Sequence, residues 1–269
     1  MTNLIRAGLW RLMHSRALLL ALLAELAYTA LVVLVCWDHY AAGGYLYTLE
    51  SILTAGYGLM GCLSIPSFIA APLLSVYLGT EYTDRTFRNR LIVGHTRSEV
   101  YLSQLIVSVL AALALDVLYL LLAGALCVRP VLGMAGVLLR VSAGQMMAWI
   151  AVGLLARAAF AAVLVLVVTA LGSRTSGSIA ALLLVVGASV FCSFGFQQLQ
   201  YLASHPDAPA QAFRLNLWQL LMDILPTGQY LQVSRLLTPN LWRLPLLSLA
   251  VIAVSTVAGL FLFCRKDLK

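Results

Sequence analysis

Charged residues are scarce in this chain. Only 10% of its 269 residues are Asp, Glu, Lys or Arg, whereas 62% are hydrophobic, and the mean hydropathy is +0.96. Soluble domains carry about 25% charged residues. The deficit excludes an ordinary soluble domain. It predicts an all-α, polytopic membrane protein in which residues 1–269 form a single transmembrane domain with helices packed in lipid.

The chain also lacks the motifs of the common catalytic and nucleotide-binding sites. GxxxxGK[ST], HExxH, GxSxG and CxxC are all absent, so we expect no enzyme activity, no ATP hydrolysis and no cofactor in this chain itself. The five cysteines and four histidines are scattered without metal-ligand spacing, which predicts no metal site. The string Gly56–Gly61 matches the dinucleotide-binding pattern, but it lies in an apolar segment with no strand before it, so we reject that interpretation.

The basic residues are placed as in a membrane protein. The net charge of +7 would suit a nucleic acid, but these residues lie beside apolar segments rather than in one stripe with interleaved aromatics. We therefore expect the lipid bilayer as a partner and no nucleic acid. With the N-terminus inside, most of the 17 Lys and Arg face the cytosol, which predicts a multi-pass protein of the cell membrane with both termini cytoplasmic.

Six apolar segments are long enough to cross a bilayer, which takes about 20 residues. They span about 17–36, 52–78, 100–127, 145–171, 177–196 and 245–264. No small-residue cleavage site follows the first, so we expect an uncleaved span. Before it, Thr2–Arg16 has the helical apolar period and basic residues of a helix lying in the interface. Residues 212–237 hold two short apolar runs split by Pro226 and Gly228, which predicts a re-entrant or interfacial pair of short helices at the outer face.

The cytosolic connection between the second and third spans carries a distinct pattern of helix starts and stops. Thr83 or Asp84 suits the first position of a short helix, because their oxygens accept hydrogen bonds from first-turn amides. Gly94 suits the left-handed residue that ends such a helix. Together these residues predict a short helix over about 82–93, followed by a new helix that begins at the capping-box sequence Thr96–Glu99.

This short helix has an apolar side and a basic side. Phe87 and Leu91 are four residues apart and lie on one face, with Arg88 and Arg90 turned elsewhere. A hydrophobic and basic helix held between two membrane spans is typical of a docking surface for a cytosolic protein. A plain solvated loop is the alternative.

The same connection resembles the loop after the second span in permease subunits of ABC-2 type ABC transporters. The resemblance lies in Gly79-Thr80-Glu81, Arg85-Thr86-Phe87-Arg88, Leu91 and Thr96-Arg97. The chain departs from the family where Arg85-Thr86 replaces a common Gly-Thr and Gly94-His95 replaces a common Pro.

The resemblance implies a function and a set of partners. In this family the loop is a coupling helix that docks on a soluble ATPase dimer, which binds the ATP and Mg, and a second, identical or homologous permease half completes the membrane unit. The implied activity is export across a bacterial plasma membrane, and permeases of the lantibiotic or bacteriocin export and immunity group are similar in size. The implied coupling residues are Glu81, Tyr82, Arg85, Phe87, Arg88, Leu91 and Arg97.

Three ionisable residues lie within predicted spans, where charges are costly and usually functional: Glu25, Asp116 and Arg157. At 1.5 Å per residue, Asp116 and Arg157 lie at similar depths, which predicts an ion pair between the third and fourth spans. A substrate or proton site is the alternative for that pair. For Glu25, a dimer interface and the inner membrane interface both stay open.

Two other functions fit part of the pattern. The intramembrane charges would suit an ion- or proton-coupled secondary transporter or a channel, which needs no ATPase. An intramembrane enzyme would need paired polar residues near one interface, and the sequence does not reveal such a pair.

Overall fold

The computed structural model describes residues 1–41, 65–84, 86–132, 142–204, 209–234 and 241–265. These residues form ten α-helices and contain no strand. The helices are α1 (Thr2–Met13), α2 (Arg16–Ala41), α3 (Ile65–Thr83), α4 (Thr86–Ile92), α5 (Arg97–Leu132), α6 (Ala143–Leu171), α7 (Arg174–Ser204), α8 (Pro209–Ile224), α9 (Pro226–Ser234) and α10 (Arg243–Arg265).

Five of the helices in the described ranges are long and apolar enough to cross a membrane. The qualifying segments are Arg16–Leu34, Arg97–Ala125, Gly144–Leu171, Arg174–Ser204 and Arg243–Arg265. The all-α, multi-pass membrane architecture is therefore confirmed. Of the predicted second span, 52–78, residues 52–64 lie outside the described part of the chain, and α3 occupies the remainder.

Helices α2, α5 and α7 each end five or more residues beyond the spans predicted for them. The third and fifth spans were expected at 100–127 and 177–196, whereas α5 has 36 residues and α7 has 31. At 1.5 Å per residue these helices are about 54 and 46 Å long, compared with a hydrocarbon core of about 30 Å. Hydropathy locates only the apolar centre of such a helix, because a helix satisfies its own backbone and continues into polar surroundings.

Helix α6 lies at the centre of the bundle. It packs against α3, α5, α7, α9 and α10, and it is the most buried of the five candidate spans. Ala156, Ala159, Ala161 and Ala162 have no exposed surface. Small side chains at these positions let the neighbouring backbones approach closely, so α6 holds Arg157 in the middle of the bundle.

The N-terminal segment forms the predicted helix, and one of its faces is attached to the bundle. Leu4, Gly8 and Leu12 are buried, and α1 packs against α5. The Tyr77 hydroxyl donates a hydrogen bond to the Gly8 carbonyl at 3.2 Å. The opposite face leaves Trp10 exposed, so the helix is fixed to the bundle on one side and open on the other.

The predicted pair of short helices is present as α8 and α9 in the described part of 212–237. The helical structure is interrupted at Leu225, and Pro226 is the first residue of the second helix, where its missing N–H loses no hydrogen bond. Helix α9 packs against α6, α7 and α8, and its residues from Pro226 to Val233 are buried. This short helix is therefore an interior element of the fold.

Candidate functional site

The connection between α3 and α5 contains a short helix, but its start differs from the prediction. Helix α4 begins at Thr86 rather than near residue 82, because α3 continues to Thr83 and includes Tyr82. The proposed caps have other partners: the Thr83 hydroxyl donates to the Gly79 carbonyl at 3.0 Å, and the Asp84 carboxylate accepts from Arg11 at 3.0 Å. Arg85 lies outside the described residues.

The end of α4 is as predicted. Gly94 has a φ of 102°, a conformation that side chains rarely adopt. Its N–H donates to the Leu91 carbonyl at 3.1 Å, and the His95 N–H donates to the Arg90 carbonyl at 3.2 Å. These two bonds satisfy carbonyls in the last turn of the helix, so α4 ends in a defined turn.

The capping box that begins α5 is confirmed. The Glu99 N–H donates to the Thr96 hydroxyl at 3.3 Å, and the Thr96 N–H donates to the Glu99 carboxylate at 3.0 Å. Both amides at the helix start are thereby satisfied. Together with the turn at Gly94, the capping box makes the connection between α4 and α5 short and hydrogen-bonded.

A buried carboxylate joins α4 to two other helices. The Glu81 side chain is fully buried, and its Oε1 lies 3.0 Å from Arg11 of α1 and 3.1 Å from Arg90 of α4. Arg11 also donates to the Thr86 hydroxyl at 2.9 Å. Removing one partner from a buried pair costs about 3–5 kcal/mol. We call Arg11, Glu81 and Arg90 the charged node; it fixes α1, α3 and α4 to one another.

Phe87 faces the bundle rather than the solvent. Its side chain is only 2% exposed, and its ring lies 4.7 Å from Tyr82 and 5.5 Å from Phe263 of α10 between centroids. Phe87 therefore packs α4 onto α3 and α10 and does not present an outer docking surface. Leu91 is half-buried on the same side.

The outer side of α4 is formed by other residues. Arg88 and Asn89 are exposed, and Ile92 and Val93 are 73% and 78% exposed. Asn89, Ile92 and Val93 were not identified as surface residues from the sequence. The available signal was the apolar pair Ile92-Val93 directly before the helix-ending glycine, because no apolar side chain lies three or four residues before either of them. We call these four residues the α4 outer face.

Arg97 connects the start of α5 with the end of α10. Its Nη1 donates to the Cys264 carbonyl at 2.8 Å. Most of the predicted coupling residues thus lie together around α4, where α1, α3, α5 and α10 meet. Sequence reasoning missed Arg11, because contacts between residues 70 positions apart leave no spacing signal.

The predicted ion pair between Asp116 and Arg157 is confirmed. Arg157 Nε lies 2.9 Å from both carboxylate oxygens of Asp116, and the two side chains are 3% and 0% exposed. The Arg157 guanidinium also lies over the Tyr230 ring of α9, 4.9 Å from its centroid. The pair therefore joins α5, α6 and α9 in the bundle interior.

Glu25 belongs to the same interior cluster. It is fully buried and lies within electrostatic range of both Asp116 and Arg157. Three residues further along α2, Tyr28 stacks on Tyr119 of α5 with centroids 5.7 Å apart. Neither expectation for Glu25, a dimer interface or the inner interface, describes this position, because the side chain points into the bundle of a single chain.

A second buried polar network joins α8, α9 and α10, and sequence reasoning missed it. Asp223 Oδ1 accepts from Gln219 at 2.9 Å and from Gln232 at 3.0 Å, and the Ser248 hydroxyl donates to Gln229 at 2.6 Å. The available signal was the four-residue spacing of Gln219 and Asp223, which places both on one helix face. The network fixes the short helix pair to the last span.

No family model matches this chain, and neither does any curated protein. The likeness to ABC-2 type permeases therefore rests on the sequence of the α3–α5 connection and stays a prediction. Among the described residues, no group of three or more His, Cys, Asp or Glu side chains could hold a metal ion. The site on which a functional proposal can be built is the α4 outer face with the charged node behind it.

Proposed function

We propose that this chain is the permease subunit of an ATP-driven exporter of the ABC-2 type, moved by a separate soluble ATPase dimer. A second permease half, identical or homologous, completes the membrane unit. Helix α3 contributes to the sixth crossing, and α8 and α9 form the re-entrant pair at the outer face. The termini and α4 lie in the cytoplasm of a bacterial cell.

The observation that carries this proposal is the two-sided construction of α4. Its outer face offers two apolar and two polar side chains to a partner, while its inner face is bonded to the bundle through Phe87 and Arg90. A short helix without contacts to the bundle could not pass a displacement on to the membrane spans. This one is connected to α1 and α3 by the charged node and to α10 by the Phe87 and Phe263 rings.

The proposed mechanism follows from these connections. ATP binding with Mg on the partner closes the ATPase dimer, which displaces α4 through its outer face. Because Gly94 and the capping box leave little slack, α5 follows α4. Because Glu81 is held by Arg11 and Arg90, α3 and α1 move with them. The two permease halves then change the side of the membrane to which the substrate path opens.

Co-purification with an ATPase tests the proposal. A tagged chain extracted from its native membrane should bring down ATPase activity, and Ile92→Asp should abolish that recovery, because a charge replaces a docking side chain. Phe213→Asp in α8 is the matched control: Phe213 is 71% exposed, as Ile92 is 73% exposed, and it lies at the other end of the bundle. No ATPase activity with the wild type, or equal loss with both variants at equal membrane levels, would contradict the proposal.

An ion- or proton-coupled transporter is the second candidate, favoured by the convergence of Glu25, Asp116 and Arg157 in the bundle interior. The two functions differ in their energy source. Transport by the purified chain alone, driven by an ion gradient in vesicles without ATP, would select this second function over the first.

A further inference from the structure

The interior cluster has one acidic side chain more than it has basic ones. Glu25, Asp116 and Arg157 come from α2, α5 and α6, and all three are buried. Asp116 holds Arg157 through both of its oxygens at 2.9 Å. The two Glu25 oxygens make no hydrogen bond among the residues that the structure describes. Within the described ranges, the cluster therefore contains one carboxylate that is paired and one that has no hydrogen-bond partner.

Among the residues that the structure describes, Arg157 is the cation that acts on Glu25, and it is already paired with Asp116. In the described part of the chain, Asp116 and Arg157 are the charged groups that act on it. Tyr28, on the same helix, also lies within electrostatic range of Glu25, and its ring stacks on Tyr119 of α5. An ionised carboxylate buried without a partner is so costly that such a group takes up a proton instead.

We propose that Glu25 is a proton-binding site that is occupied while α2 is packed against α3 and α5. The carboxylate takes the proton from water and becomes a neutral carboxylic acid. When α2 separates from α5 and water reaches the site, the acid returns its proton to water and becomes an anion. This inference rests on the cluster alone and holds whether or not an ATPase drives the protein.

The side chains present favour a proton over a metal ion as the ligand of this site. A metal cation needs several oxygen ligands, but both Asp116 oxygens are already bonded to Arg157. The Thr29 hydroxyl, one turn from Glu25, donates to the Glu25 backbone carbonyl at 2.8 Å. In the described part of the chain, no group of three or more His, Cys, Asp or Glu side chains could hold a metal ion at this position.

Proton occupancy controls the contact between α2 and the rest of the bundle. While Glu25 is neutral, the charges of Asp116 and Arg157 balance each other, and the three residues together carry no net charge. If Glu25 ionises in place, two carboxylates compete for one guanidinium and the cluster carries a net negative charge. Ionisation therefore favours separation of α2, and packing of α2 favours proton uptake.

Infrared spectroscopy of the full chain in lipid nanodiscs tests the proposal directly. At neutral pH the wild type should show the carbonyl stretch of a buried carboxylic acid, and Glu25→Gln should remove it. Asp223→Asn is the matched control, since Asp223 is also a buried acid but accepts two amide hydrogen bonds; this variant should keep the band. A wild type without the band, or a band that persists in Glu25→Gln, would overturn the proposal.

A second measurement avoids mutation, in case Glu25→Gln fails to fold. Wild-type protein grown with glutamate labelled at its side-chain carboxyl carbon should show the band displaced, because a heavier carbon lowers the frequency. The chain has four glutamates, and the other two described ones are exposed in part or held by two arginines. A band that the label does not move belongs to an aspartate and would overturn the proposal.

Discussion

At the scale of single residues, buried charges decide how this bundle is held together. Asp116 and Arg157 form a buried ion pair. Removing either side chain alone would leave the other charge in the interior without its partner. Desolvation offsets much of the attraction within such a pair, so the pair specifies an arrangement more than it adds stability. The contact between these two residues could be predicted, because a helix rises about 1.5 Å per residue and each position in a span therefore corresponds to a depth in the membrane.

Replacing one member of the pair should destabilise the protein more than replacing both. Arg157→Met leaves Asp116 and Glu25 together without a cation, so we expect a loss of about 3–5 kcal/mol of unfolding free energy. The double variant Asp116→Leu/Arg157→Met should recover most of that loss. The measurement is a double-mutant cycle by thermal or denaturant unfolding in detergent; a double variant that loses the sum of the two single losses would show that the two residues are not coupled.

Residue contacts between distant parts of the chain could not be predicted. The capping box and the helix-ending glycine were visible because their partners lie within five positions of each other. The contact between Arg11 and Glu81 could not be predicted, because neither segment has a sequence pattern that identifies the other as its partner. The inward orientation of Phe87 was also hidden, since an apolar face on a short helix reads the same whether it meets a partner or its own bundle.

At the scale of helices, close approach of α3 and α7 sets the geometry next to the charged node. Gly79 lies two residues before Glu81, and a Cβ at this position would lie 2.7 Å from Arg174 Cα. The contact is with backbone at the start of α7, which cannot rotate away as a side chain could. This explains why a glycine stands where α3 passes α7.

Gly79→Ala should therefore lower stability although alanine is the better helix former. We expect a loss of about 1–3 kcal/mol from overpacking, read as a lower thermal midpoint. Gly187→Ala in α7 is the control, because nothing lies within 4 Å of a Cβ there, and it should be neutral or stabilising by up to about 1 kcal/mol. A neutral Gly79→Ala would show that α3 and α7 are not in close contact.

Helix type was predictable and helix length was not. Apolar runs identified α2, α5, α6, α7 and α10 as candidate spans, and the ends of α6 and α10 lie within two residues of the prediction. The ends of α5 and α7 do not, because polar residues continue these helices beyond the apolar centre. The pair α8 and α9 was foreseen from its proline, whereas its buried amide and carboxylate network was not.

At the scale of the whole molecule, the described helices form one bundle around α6, with charged and polar clusters at separate places. The charged node and the α4 outer face lie where α3 meets α5, the ion pair lies in the interior, and the polar network of α8 and α9 lies beside α10. In the exporter that we propose, force would enter at one end of the bundle and the substrate would leave at the other. We propose that the force enters at α4.

Photo-crosslinking from α4 in intact cells tests that claim most directly. A photoreactive amino acid replacing Ile92 should form an adduct with a soluble ATPase. The same probe replacing Phe213 should form none, because Phe213 is similarly exposed but lies in α8, which follows the end of α7 opposite to Arg174 and Gly79. If the ATPase adduct is missing at Ile92, or a reagent that cannot cross the membrane reaches Ile92 from outside the cell, the account of this protein as an ATPase-driven permease is contradicted.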